Sequence, residues 1–254
     1  MTQLANPIII TLMKRAESKE IEAIIIVPTY NERENLPIIV KEIFEQPLKA
    51  KIIIVDDNSP DGTGEVAEQI KKRYKGTISV IHRIEQKRSF AQSYLTGIKM
   101  AVNDEAEYII LMDADLAHDP KYLQDFLAKL KEVDFVVGSR YINGVSVLNW
   151  PIKRLILSRM GNLYAEKITK LKVKDCTSGF LGFRKVVLKH INLDNIKSNG
   201  YSFLIELKLK VQQMGYSIGE IPIIFRGRVK GASKMSKKIF FEALYNVIRF
   251  RLLG

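Results

Sequence analysis

Ile109-Ile110-Leu111-Met112-Asp113-Ala114-Asp115, continued by Leu116-Ala117-His118-Asp119-Pro120, decides how the rest of the chain is read. An apolar run fit for a buried strand stops at two carboxylates one residue apart, and a helix starts just beyond them. In open parallel sheets the ligand crevice lies outside the carboxyl ends of the strands. Oxygen ligands on one short loop at that place suit Mg2+ or Mn2+ carrying a phosphate. An isolated Asp-x-Asp is also compatible with a plain polar strand end, so its companions decide.

The order of apolar strand, polar loop and helix repeats on either side of this stretch. Ile24-Ile25-Ile26-Val27 is stopped by Pro28, and a helical pattern through Ile38, Ile39, Ile43 and Phe44 follows. Lys51 to Val55 runs into Asp56-Asp57-Asn58-Ser59-Pro60-Asp61-Gly62-Thr63, a loop dense in turn formers and helix caps, with a helix from about Gly64 to Tyr74. Ile78 to His82 predicts a third strand, Ala91 to Val102 a helix, and Phe135-Val136-Val137-Gly138 a fifth strand. Phe180 to Phe183 and Ile218 to Phe225 predict further strands, with a helix from Ser202 to Met214 between them. Strands alternating with helices imply an α/β fold: a mostly parallel central sheet, right-handed crossovers and flanking helices.

Composition bounds the function classes. A chain of 254 residues with 46% hydrophobic content can bury a sizeable core, which excludes a disordered chain. A formal net charge of +12 favours an anionic partner: nucleic acid, an acidic membrane surface or a phosphorylated substrate. The single cysteine, Cys176, excludes an intramolecular disulfide and reads as an inert buried thiol. Leu4 to Met13 is interrupted by Asn6 and Pro7 and lacks a basic segment ahead of it, which makes it a poor signal peptide. No run approaches the roughly 20 apolar residues of a spanning helix. The expectation is a protein that is soluble or held at a membrane surface.

Two basic amphipathic segments bear on that choice. After Asn149-Trp150-Pro151, a helix carries Ile152, Leu155, Ile156, Met160 and Leu163 near one face, with Lys153, Arg154, Arg159 and Lys167 interspersed. It is either core-facing or an interfacial helix with Trp150 at the lipid boundary. Lys237 to Leu253 sets Ile239, Phe240, Leu244, Val247, Ile248 and Leu252 against Lys237, Lys238, Arg249 and Arg251, for membrane contact or for docking on the domain. The expected organisation is an extension over 1–20, one domain over 21–235 that includes the amphipathic helix around 149–170, and a basic amphipathic helix over 236–254.

Four ordered segments together resemble the family 2 glycosyltransferases of the GT-A fold, and among them the dolichyl-phosphate (polyprenyl-phosphate) mannose synthases. They are Val27-Pro28-Thr29-Tyr30-Asn31-Glu32 with Asn35-Leu36; Val55 to Thr63; Asp113-Ala114-Asp115-Leu116 with His118-Asp119-Pro120; and Gly138-Ser139-Arg140-Tyr141. Asp175, Thr177-Ser178-Gly179-Phe180, Glu206, and Arg228 with Gly231, Ser233 and Lys234 extend the likeness, which runs from about residue 22 to residue 235.

The resemblance implies that Pro28, Tyr30, Glu32, Val55 and Asp57 form a nucleotide pocket, with carboxylates accepting from base or ribose. It implies that Asp113, Ala114 and Asp115 hold the sugar diphosphate through a divalent metal, Mg2+ or Mn2+, with Asp113 and Asp115 as ligands. Arg140, Arg228 and Lys234 would meet phosphate oxygens, and Arg140, Arg154, Ser158 and Arg228 the acceptor phosphate, a task suited to guanidinium forks. Asp115, Arg140 and Arg228 are the expected catalytic residues. The implied reaction is inverting transfer of mannose from GDP-mannose to a dolichyl or polyprenyl phosphate. The implied setting is peripheral, on the cytoplasmic face of a membrane, with room for a separate membrane-anchoring subunit. Two departures stand out: Ala117 where relatives carry Gln or Ser, and Lys87-Arg88-Ser89-Phe90 where they carry a Gly-Leu-Gly-like turn. The alternatives are the same chemistry with UDP-glucose or another nucleotide sugar, a non-catalytic lipid-surface protein, and a nucleic-acid-binding module. The last is disfavoured, because spaced surface aromatics are lacking and strand-end carboxylates repel phosphates.

Overall fold

The computed structural model describes residues 21–84, 87–227 and 237–253. The extension over 1–20 and the site candidates Arg228 and Lys234 lie outside the described residues. A seven-stranded sheet runs in the order β3-β2-β1-β4-β7-β5-β8. Its strands are β1 (Ala23–Thr29), β2 (Ala50–Asp56), β3 (Ile78–His82), β4 (Tyr108–Leu111), β5 (Phe135–Ser139), β7 (Leu181–Arg184) and β8 (Ile218–Pro222). All pairings are parallel except those of β7, which runs antiparallel between β4 and β5.

Continuous apolar runs form the centre because both faces are covered. Ala23, Ile25 and Val27 of β1 face one core, shared with α1 (Leu36–Phe44), α2 (Thr63–Arg73) and α4 (Leu123–Leu130). Ile24 and Ile26 face the other, shared with α3 (Phe90–Ala101) and α7 (Gly200–Gln213). This division follows the period-2 alternation of a strand, and fully burying each of the Ile and Val side chains contributes about 1.5–3 kcal/mol. Helix α3 lies close on β1 at Gly97, where an added Cβ would stand 2.5 Å from Ile26 Cγ2. The helix α6 (Lys185–His190) follows β7.

The expected strand from Ile218 to Phe225 is divided. Its first part is β8, and Phe225–Arg226 forms β9, which pairs with β6 (Val147–Leu148) in a separate two-stranded sheet. Pro222 ends the run because it has no N–H to give a ladder. The helix after Trp150, α5 (Ile152–Thr169), is not core-facing along its apolar positions: Ile152 is 74% exposed and Met160 63%. The residues it buries are Asn162, Ala165 and Thr169. Terminal helix α8 (Lys237–Leu253) docks on the domain through Tyr164 O–H, which donates to the Leu244 carbonyl at 3.1 Å. It leaves Tyr245 67% and Leu252 76% exposed. Among the described residues, no helix is long and apolar enough to cross a membrane.

Candidate active site

The carboxyl ends of β1, β2, β4 and β5 open on one edge of the sheet. At the end of β4, the Asp113 carboxylate accepts from the buried Tyr94 O–H at 2.7 Å. Burial, then the Asp113 charge, holds the Tyr94 phenol well above its ordinary pKa, so it stays a donor. The Asp113 N–H donates to His118 Nδ1 at 3.0 Å, which places the ring proton on Nε2, 3.9 Å from Asp113 Oδ2. Burial lowers the His118 pKa against the pull of Asp113 and Asp115, so the ring is neutral. It stacks on Phe180 at 4.8 Å and meets the edge of Phe225 at 5.7 Å.

Asp115 is buried, and its Oδ1 accepts from the Ala117 N–H at 3.2 Å. Between them Leu116 has φ +62°, a left-handed conformation that costs a residue with a Cβ about 1–2 kcal/mol. The turn therefore directs a backbone donor back onto the second carboxylate. The Asp113 side chain keeps 27% exposure. The Gly179 backbone lies opposite it, where an added Cβ would stand 3.7 Å from Asp113 Oδ2, an ordinary contact distance. Among the described residues, no group of three or more His, Cys, Asp or Glu could hold a metal by itself.

The nucleotide-pocket candidates stand together at the neighbouring ends of β1 and β2, where Pro28 pairs with Val55 and Thr29 with Asp56. Asp57 donates its N–H to the Thr29 carbonyl at 3.0 Å. Its carboxylate takes the Arg83 guanidinium on Oδ1 and the Ser89 N–H, at 2.8 Å, on Oδ2. Asp57 thereby clasps both ends of the segment leading into α3. Glu32 accepts from Asn35 Nδ2 at 2.8 Å, and its N–H donates to Thr63 Oγ1 at 3.0 Å. The Tyr30 ring carries the Arg88 guanidinium, with Cζ 3.8 Å from the ring centroid.

Beyond β5, Arg140 is buried and forks onto Asp175, its Nε and Nη2 donating at 2.6 Å each. Nη2 also reaches Thr177 Oγ1 at 2.8 Å. Burial alone would lower the Arg140 pKa, but the Asp175 carboxylate outweighs it and raises it. Burial likewise opposes ionisation of Asp175, and Arg140 overcomes it and lowers that pKa. The pair is therefore fixed as ions. Arg154 stacks on Trp150, its Cζ 4.0 Å from the ring centroid, and Ser158 Oγ is 2.8 Å from Tyr141 Oη. Phe225 joins the two ends: it meets His118 on one side and the Trp150 ring, at 5.5 Å, on the other.

Sequence reading missed several members of this site. Tyr94 and Phe225 belong to no motif, and their roles depend on which strand ends adjoin. Lys208 of α7 is fully buried and donates to the Ser178 carbonyl at 2.7 Å. Burial lowers its pKa to about 8, against the pull of Asp175. Cys176 is buried as expected, and burial pushes its thiol up to about 12.

A mostly parallel sheet with a carboxylate pair and a clasped loop at its carboxyl edge defines an open α/β fold whose crevice lies at the strand ends. The chain belongs to glycosyl transferase family 2, whose family model matches residues 24–191. It is 37% identical over 232 residues to polyprenol monophosphomannose synthase of Mycolicibacterium smegmatis, covering 91% of this chain and 87% of that protein. It is 35% identical over 227 residues to undecaprenyl-phosphate mannosyltransferase of Micrococcus luteus, covering 89% and 93%. The fold matches glucosyl-3-phosphoglycerate synthase from Mycobacterium tuberculosis, solved with Mn2+, UDP and glucosyl-3-phosphoglycerate. The TM-score is 0.63 at 14% identity, over 99% of this chain and 86% of that one. The architecture is thus the mostly parallel α/β sheet of GT-A glycosyltransferases, as the sequence implied.

Proposed function

We propose that this glycosyltransferase moves mannose from GDP-mannose to a polyprenyl monophosphate, inverting the anomeric carbon to give a β-linked product. The observation that carries the reading is the juxtaposition, through Phe225, of the Asp113–Asp115 strand end with the guanidinium-rich corner at Arg140 and Arg154. The two curated relatives, both named for mannosyl transfer to a polyprenyl phosphate, support it.

A phosphomonoester with a second pKa of about 6 is already an oxyanion near neutral pH, so no protein base is needed to make the nucleophile. The protein's work is to bring two anions together and hold them in line. Asp113 and Asp115 would hold the divalent metal, Mg2+ or Mn2+, since two strand-end oxygens fit such a cation when diphosphate oxygens and water complete its shell. That ion supplies charge neutralisation for the departing diphosphate. Tyr94 orients Asp113, the Ala117 N–H orients Asp115, and Arg154 with Ser158 receives the acceptor phosphate. Arg228 and Lys234 keep their proposed phosphate contacts from the sequence.

The exposed apolar residues Ile152, Ile156 and Met160 of α5, with Tyr245, Ile248 and Leu252 of α8, are proposed to meet the lipid surface that holds the acceptor's tail. Incubating the protein with a polyprenyl phosphate and either GDP-mannose or UDP-glucose, in Mg2+ and in Mn2+, tests the reading. Mannosyl-lipid formation from GDP-mannose is expected. Glucosyl transfer without mannosyl transfer would replace the donor, and no transfer from any nucleotide sugar would remove the reaction.

A further inference from the structure

Among the described residues, two buried side-chain polar atoms lack a hydrogen-bond partner, and both are N–H donors of one corner: Trp150 Nε1 and Arg159 Nη1. Leaving a buried donor unpaired costs about 1–3 kcal/mol, and such groups in a folded protein call for an explanation. Here they share their surroundings. Arg159 Cζ lies 5.2 Å from the Tyr141 ring centroid and Arg140 Cζ 5.3 Å from the same ring. Arg140 Cζ is also 5.6 Å from the Trp150 ring, on which Arg154 stacks. Three guanidiniums thus surround two adjoining aromatic rings. Asp175 is committed to Arg140 through both its oxygens, and Arg159 has no ion pair among the described residues. The chain at Gly227 closes over Trp150, where an added Cβ would stand 3.3 Å from Cδ1, the atom next to Nε1. A corner in which Arg159 carries no ion pair among the described residues and two donors are unspent is completed by an acceptor-only anion.

We propose that Trp150 Nε1 and Arg159 Nη1 donate to the oxygens of a phosphomonoester bound between α5 and β5, extending the acceptor contacts to two residues outside the family motifs. The inference rests on the acceptor side of the proposed function. Arg159 is the stronger ligand, because it brings a full charge with its donor, while Trp150 supplies a single directional N–H.

Trp150 is the chain's only tryptophan, so its fluorescence reports this corner alone. Titration with decyl monophosphate should change the emission saturably, and decanol should not. Decyl phosphate binding more tightly than inorganic phosphate assigns the donors to a lipid phosphate, and equal binding assigns them to free phosphate. Arg159→Met should abolish the titration and raise the acceptor KM by about tenfold or more, equivalent to about 1.4 kcal/mol. Trp150→Phe, which keeps the ring and removes the N–H, should raise the same KM by a smaller factor. In both variants the KM for the nucleotide sugar should be unchanged, and the ligand-free melting temperature unchanged or higher, because an orphan donor has gone. A wild-type-like acceptor KM in Arg159→Met, or no fluorescence response to either phosphate, would overturn the assignment. Phosphate binding that depends on Arg159 in a protein without transferase activity would sink the proposed reaction and leave this site standing.

Discussion

Around the ends of β1 and β2, Asp56, Asp57 and Asp61 each accept two or more hydrogen bonds from the protein itself. The corner between β5 and α5 instead gathers Arg140, Arg154 and Arg159 and leaves two N–H donors without acceptors. The first region is finished before any ligand arrives, and its loops are held in place by internal carboxylates. The second keeps two donors that its own side chains do not satisfy. Preorganisation on one side and incompleteness on the other fit a reaction in which a rigid cradle presents the leaving group and the acceptor completes its own subsite.

The largest effect should come from the strand end that both regions share. Asp115→Ala removes a carboxylate proposed to hold the metal, and transfer should fall by about 10³-fold or more, in line with losing a main electrostatic element of a site. The fold should stay intact, since the change is confined to a loop at a strand end, and far-UV circular dichroism should match wild type. Full activity of this variant in Mg2+ or Mn2+ would remove the carboxylate pair from the mechanism. Next is Arg140→Ala, which strands the fully buried Asp175 carboxylate. Breaking one partner of a buried pair costs roughly 3–5 kcal/mol, visible in a urea melt. A loss under about 1 kcal/mol would show that the corner is more open to water than its burial implies.

These elements differ in how far the sequence announces them. Apolar runs such as Ile24 to Val27 and Ile109 to Met112 declare central parallel strands, and the carboxylates after them mark the crevice. Phe180 to Phe183 declares the strand β7 but not its antiparallel direction, because four residues carry no sign of which way they run. Nor is the β6–β9 pair, which depends on Val147 meeting Phe225 across a separation no local pattern encodes. Polar partnerships are the least legible. Asp57 suggests a ligand contact by its position, and only the fold shows Arg83 and Ser89 already on it. The outward face of α5 is open in the sequence for a related reason: amphipathicity gives two faces without saying what covers the apolar one.

Lys208 makes the contrast between the regions titratable, since it is a buried cation beneath the Ser178–Gly179 turn that links Arg140's partners to Asp113. Its folded-state pKa, about 8, lies below the ordinary value of 10.5. Below about pH 8 both states hold the proton and the full penalty of the buried charge is present. Between about 8 and 10.5 the unfolded chain binds more protons, so stability rises with pH across that window. The stability difference between wild type and Lys208→Met should therefore shift in favour of wild type by on the order of 3 kcal/mol from pH 7.5 to 10.5. Parallel curves for the two proteins would mean that the ammonium is effectively solvated.

The smallest effect probes the finished side. Arg88 stacks on Tyr30, a residue of the implied nucleotide pocket, and a base seated on that ring must first move the guanidinium. Arg88 is exposed, and a cation–π contact at an exposed site contributes about 0.5–1 kcal/mol. Arg88→Ala should then tighten GDP binding by about two- to fivefold in calorimetry, the factor that energy converts to. Weaker binding would show that Arg88 contacts the nucleotide instead of yielding to it. In that event the donor side, like the acceptor side, would be one that its ligand completes.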